Sequence, residues 1–178
     1  FHNHVIHRLK CHVKCSCSNA LLRLPIQSSR TAAEGRQPLP GVRPRRGPPL
    51  ALLRLDGDAA GKSAQEVYFT REMRNHYSSS VLVGEHLYGF SSTVLTAMKF
   101  NDGAVAWRNR SVGKGTVIHA DGMLYCQGEN GTIALVKATP AGYEEVSRFT
   151  LAIGGYPLWT LPVIAGGHLY VRDQDTLY

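Results

Sequence analysis

The sequence predicts an all-β chain, part of a β-propeller made of four-stranded antiparallel blades, behind a basic N-terminal extension. Three observations predict it. First, one phrase recurs as Val81-Leu82-Val83-Gly84-Glu85-His86-Leu87-Tyr88, as Val117-Ile118-His119-Ala120-Asp121-Gly122-Met123-Leu124-Tyr125 and as Val163-Ile164-Ala165-Gly166-Gly167-His168-Leu169-Tyr170. Each copy is an apolar strand, a tight turn carrying Gly, and a returning strand that ends in Tyr. Second, the Tyr-to-Tyr spacings are 37 and 45 residues; a period of about 40 with several short strands per unit marks propeller blades. Third, composition changes abruptly near residue 64. Residues 1–64 hold 11 Lys/Arg against 3 Asp/Glu, and residues 65–178 hold 9 against 10.

The chain therefore divides, as read, into a low-order extension over 1–64 and a repeat segment over 65–178. The extension shows neither the helical nor the strand period. Its Pro/Gly run over residues 37–49 suits neither a helix nor a central strand, and high charge with little apolar content argues against a packed core. Residues 20–24 and 50–55 have the apolar content for a helical turn or two at most. His2, His4, His7, Cys11, His12, Cys15 and Cys17 are all soft metal ligands, but they lack the second ligand pair and the small apolar core that a zinc site needs. The basic residues 43–46 have no aromatic interleaving and no amphipathic period, so they read as a solvated linker. The repeat segment, close to neutral, has no basic stripe of the kind that follows phosphates. Nucleic acid is thus excluded as its partner, and no run of eighteen apolar residues predicts a membrane span. Cys126 alone falls in the repeats, so no internal disulfide frames them.

Within the repeats the elements follow in order. Residues 66–70 read as the last strand of a preceding blade. Residues 79–83 form a strand, Gly84-Glu85 turns, 86–90 returns, Ser91-Ser92 turns again, and 93–100 runs apolar enough to be covered on both faces. Asn101-Asp102-Gly103 is a strong hairpin signal, because Gly tolerates positive φ; residues 104–109 close the blade with Trp107. The second unit runs 116–120, 123–127, 132–138 and 143–150, with turns at Asp121-Gly122, Glu129-Asn130-Gly131 and 139–142. A third unit runs 160–165, turns at Gly166-Gly167, and returns over 168–172 before a last strand over 175–178.

The stretch Ala97-Met98-Lys99-Phe100-Asn101-Asp102-Gly103-Ala104-Val105-Ala106-Trp107 resembles the tryptophan-docking motif of pyrroloquinoline-quinone-type propeller repeats, Ala-x-Asp-x-x-Thr-Gly-x-x-x-Trp. Ala97, Gly103 and Trp107 match in register, while Lys99 replaces the Asp and Asp102 the Thr. The resemblance implies that Trp107 packs between neighbouring blades, and it assigns Ala97, Gly103 and Trp107 to blade docking. In the second unit Ala134 is matched to Ala97, and Phe149 stands near the place of the tryptophan. Proteins of this type are usually exported in bacteria, which implies a periplasmic or secreted protein.

Few residues suggest chemistry. There is no G-x-S-x-G, no phosphate loop, no HExxH and no other catalytic constellation. Glu129-Asn130 offers oxygen ligands, but Glu-Asn-Gly is first of all a turn. Asp173 and Asp175 either face a central channel or bound a turn, and Arg172 binds an anion or pairs locally. His86, His119 and His168 recur beside repeat turns, which argues a structural role. Trp159 follows an inter-blade connection, where packing and recognition are both open. Asn109-Arg110-Ser111 and Asn130-Gly131-Thr132 fit the glycosylation sequon. The functional expectation is a fragment acting as a binding or assembly scaffold in the bacterial envelope, whose partner is another protein or the remaining propeller blades. Roughly 240 residues make even a six-bladed ring, so an open arc prone to self-association is expected. The alternative is a fragment of a dehydrogenase using pyrroloquinoline quinone with calcium; only under that alternative is a cofactor expected.

Overall fold

The structure is a computed structural model that describes residues 21–22, 50–58 and 61–178, with side chains over 50–56 and 63–178. Among the described residues every regular element is a strand. β1 (Leu21–Leu22), β2 (Leu50–Asp58) and β3 (Gly61–Thr70) form one antiparallel sheet. β4 (Val81–Val83), β5 (His86–Ser91), β6 (Val94–Lys99) and β7 (Val105–Asn109) form a four-stranded meander, the first blade. β8 (Gly115–Ala120), β9 (Met123–Gly128), β10 (Thr132–Lys137) and β11 (Glu145–Thr150) repeat that order as the second blade. Two hairpins make the third unit: β12 (Val163–Ala165) with β13 (His168–Tyr170), and β14 (Arg172–Asp173) with β15 (Thr176–Leu177).

Two expectations about the extension are corrected. Residues 50–55 are not a helical turn but part of β2, and β3 runs through residue 64, so the composition break is no boundary of secondary structure. Pairing decides this. An isolated six-residue helix buries too little to persist, whereas β2 gains a full antiparallel ladder with β3, from Leu50↔Thr70 to Asp58↔Gly61, and buries Leu52 and Leu53. The His/Cys group of residues 2–17, the Pro/Gly run and the basic residues 43–46 lie outside the described residues.

β8 packs against β4 and β5, so the first strands of successive blades are neighbours on the inner side of an arc and the fourth strands lie on its rim. The joint between blades one and two holds the largest core, with Tyr88, Phe90, Leu95 and Ala97 from one side meeting Val117, Leu124, Cys126, Ala134 and Val136 from the other. Leu87, Met98 and Met73 pack on the opposite face of blade one with Leu50. Ile133 of blade two meets Leu158 and Val171 of the third unit. Blades covered on both faces need apolar side chains at successive strand positions. Hence the unbroken buried runs of β5 and β6.

A bulge recurs in all three pairs of third and fourth strands. The register shifts at Leu52/Leu53, Ala97/Met98 and Leu135/Val136, leaving Val67, Ala106 and Val146 as the extra residues. The next residue is Tyr68, then Trp107, then Ser147. Tyr68 Oη donates to the Phe100 carbonyl at 2.9 Å, and Trp107 Nε1 donates to the Thr139 carbonyl at 2.8 Å. Both bonds span 32 residues and reach the turn before the fourth strand of the following blade. A rim aromatic clasps each blade to the next, and Ser147 ends the series. This register corrects the matching of the second unit. Ala97 faces Trp107 while Leu135 faces Ser147, so Leu135 is the counterpart of Ala97. Ala134 is one residue away and thus on the other face, buried against blade one. Phe149 pairs with Ile133 and is 49% exposed.

Candidate functional site

In such a meander, the connections between blades and the turns between second and third strands share one end. That end carries residues 71–80, 110–114, 129–131 and 151–162, and the first three of these segments converge on Trp159 of the fourth. The indole stacks on Tyr77 with centroids 5.7 Å apart at 30°, and His76 meets its edge at 6.3 Å. Lys114 Nζ lies 5.4 Å from the Trp159 ring and 5.7 Å from the Tyr77 ring. Trp159 Nε1 donates to Glu129 Oε2 at 2.9 Å, and the same carboxylate oxygen is 3.1 Å from Lys114 Nζ. Partial burial works to raise the Glu129 carboxyl, but the hydrogen bonds from Trp159 and Lys114, with the charges of Lys114 and His76, outweigh it and hold the pKa low. Burial, reinforced by the Glu129 charge, pushes the Tyr77 phenol up to about 12. Although its N–H and one ring face are fixed, Trp159 is still 53% exposed.

Beside it lies an open groove of about 710 Å³ lined by Pro157, Trp159, Thr160, Arg172, Gln174 and Asp175. Its size falls in the range of ligand pockets. The wall offers an indole face, a guanidinium, a carboxylate, an amide and a hydroxyl. Tyr156 and Leu161, next in sequence to Pro157 and Thr160 of the lining, are 67% and 54% exposed. Arg172 and Asp175 thus sit in the groove wall. Asp173, adjacent in sequence, is buried and accepts the Gly154 N–H at 2.7 Å.

The three residues matched to the docking motif lie elsewhere. Ala97 is fully buried between the blades. Trp107 is half-buried, its ring 5.9 Å from both Tyr88 and Tyr143. Gly103 has φ +75°, and a Cβ there would sit 3.0 Å from the Tyr68 ring, so the turn needs glycine for both conformation and space. The polar end of the motif is rebuilt locally, with Asp102 Oδ1 accepting the Ala104 N–H at 2.9 Å and lying within 3.7 Å reach of Lys99 through its other oxygen. Also at this joint, Tyr143 donates to Glu145 and accepts from the Ser111 hydroxyl at 3.2 Å, and Arg148 holds Glu145 and the Ser111 carbonyl. Arg148, then Tyr143, hold the Glu145 carboxyl down at about 2 against the opposing effect of burial. Burial pushes the Cys126 thiol up to about 12, so it stays a thiol and packs as a small apolar side chain.

Glu129-Asn130 does form a turn: Asn130 Oδ1 accepts the Thr132 N–H at 3.1 Å and Gly131 has φ +83°. An ammonium occupies the Glu129 carboxylate and a backbone N–H the Asn130 oxygen, so this pair does not fit a calcium shell beside a quinone. His119 and His168 are exposed in strands beside turns, and His168 Nδ1 meets the Gly166 carbonyl at 2.9 Å. Asn109 caps Ser111 N–H at 2.7 Å. Among the described residues no three His, Cys, Asp or Glu side chains come together as metal ligands, and no helix is long and apolar enough to cross a membrane. Sequence reading found Trp159, Glu129, Arg172 and Asp175 singly but missed His76, Tyr77 and Lys114. All three sit in inter-blade connections, and placing one connection per blade at a common end is the signal that would have grouped them.

No protein-family model matches the chain, and no curated protein matches it. Among solved structures it is similar to BamB from Moraxella catarrhalis, with 16% sequence identity and a TM-score of 0.51, over 68% of this chain and 36% of that one. The chain thus spans little more than a third of the length of that structure. The likeness is one of fold, that of a β-propeller built of four-stranded antiparallel sheets.

Proposed function

We propose that this chain is a propeller segment of the pyrroloquinoline-quinone-type repeat family that serves as a binding or assembly scaffold in the bacterial envelope, periplasmic or secreted, with the loop end around Trp159 as its contact surface for a protein partner. One observation carries this reading: Trp159 is 53% exposed yet fixed by Glu129, Tyr77 and Lys114. A rigid, exposed indole loses little conformational freedom on binding, and Trp, Tyr and Arg dominate the energetics of protein interfaces. The envelope assignment rests on the resemblance of residues 97–107 to the repeat motif. Val146 and Phe149, each 49% exposed on the rim of blade two, support contact with further blades or with a second copy.

The test places a photo-crosslinking residue at Tyr156, 67% exposed in the same connection, which leaves Trp159 intact, in bacteria that express the chain, and in parallel at Asp121, exposed in a turn at the opposite end. One discrete adduct with an envelope protein is expected from position 156 and none from 121. Equal labelling from both positions, or none from 156, contradicts the reading.

A further inference from the structure

Four buried side-chain atoms among the described residues have no hydrogen-bond partner: Tyr77 Oη, Thr116 Oγ1, Gln127 Oε1 and Asp173 Oδ1. All four belong to the loop end, and three of them face one seam. Gln127 pairs with Ile133 across the sheet, and Thr116 pairs with Gln127. Directly paired residues share a face, and Ile133 packs on Leu158 and Val171 of the third unit. Thr116 and Gln127 therefore look towards that unit. From the other side, Asp173 lies two residues after Val171, with exposed Arg172 between them, so it shares Val171's face and looks back at blade two. Thr160 ties the walls together: its carbonyl accepts Gln127 Nε2 at 2.6 Å, and its hydroxyl donates to the Arg172 carbonyl.

The seam is thus lined by a hydroxyl, an amide oxygen and a carboxylate oxygen. Thr116 and Gln127 are 0% exposed and Asp173 is 4% exposed. Buried polar atoms left unpaired are costly, and an ionised carboxylate with a single N–H partner is the costliest of them. A lone water would satisfy hydrogen bonds but leave the negative charge. An oxygen-only set with one carboxylate suits a hard cation, and calcium accepts irregular oxygen shells completed by water where magnesium demands an octahedron.

We propose that the seam between blade two and the third unit binds a calcium ion through Asp173, Gln127 and Thr116, locking the third unit onto the second blade. This site is separate from the Trp159 contact surface and does not depend on it. One carboxylate predicts weak binding, in the range of about 10⁻⁴–10⁻³ M seen in extracellular modules.

The probe is calcium chloride added to the full chain, read as the thermal midpoint against tetramethylammonium chloride of equal ionic strength. At tenfold excess over Kd the midpoint is expected to rise by about 5 °C, and magnesium is expected to do less. Asp173→Asn abolishes the rise. Thr116→Val, close in shape and expected to fold even if Asp173→Asn does not, reduces it. A wild-type midpoint that calcium leaves unmoved overturns the proposal and assigns the oxygens to water. A rise that survives in a folded Asp173→Asn, or undiminished in Thr116→Val, also overturns it, because the ion then sits elsewhere.

Discussion

Trp107→Ala is expected to cost about 3 kcal/mol, the lower end for removing a core aromatic because the ring is only half-buried. Two losses add. The indole leaves a void between Tyr88 and Tyr143, and the Thr139 carbonyl loses its donor. Each kcal/mol moves the midpoint by about 4–8 °C in a domain of about 60–100 residues and by about 2–4 °C in one of about 150–250; the repeat segment falls between, so a fall of about 10 °C is expected in a thermal melt. Trp107→Phe keeps the ring and loses the bond, and is expected to cost about 1 kcal/mol. Ser147→Ala, at the matching position of the second blade but without a clasp, is expected to change stability by less than about 0.5 kcal/mol. If Trp107→Ala and Ser147→Ala melted alike, the clasp would carry no weight.

The second large effect concerns binding. Trp159→Ala is expected to weaken partner affinity by about 30-fold or more, corresponding to about 2 kcal/mol, the threshold of an interface hot spot. Stability is expected to move little. The ring is half in solvent, and Glu129 and Lys114 keep each other as partners after its removal. Trp159→Phe retains a ring on Tyr77 but frees the Glu129 carboxylate from the indole N–H, so affinity is expected to fall by less. A titration of the partner captured from position 156 checks both. Equal loss of affinity and of folding in Trp159→Ala would identify the indole as a packing residue instead.

The contrast between the two tryptophans shows what the sequence makes legible. Gly-bearing turns and apolar strand runs are local, and from them the blades, their strand order and most strand limits could be read. Ala97, Gly103 and Trp107 could also be singled out, because the motif that carries them is contiguous. The β2 strand was not legible, since Leu50–Asp58 becomes a strand only by pairing with β3 and its residues alone favour no period. The slip at Ala134 has the same origin. A bulge adds one residue and exchanges the two faces, and nothing in the local sequence of β11 announces that Val146 is the extra residue. The proposed contact surface was legible least. His76, Tyr77, Lys114, Glu129 and Trp159 are separated by up to 83 positions, and only the closure of successive blades around a common end brings them together.

The chain has two tryptophans, so Trp107→Phe leaves Trp159 as its single indole fluorophore. Acrylamide quenching of that variant, free and saturated with the crosslinked partner, tests the proposed contact surface directly. The account predicts strong quenching in the free chain, as for a half-exposed indole, and a fall on binding to the level of a buried one. Quenching of Trp159 that stays the same at saturation would contradict it, because the partner would then be bound somewhere other than the loop end.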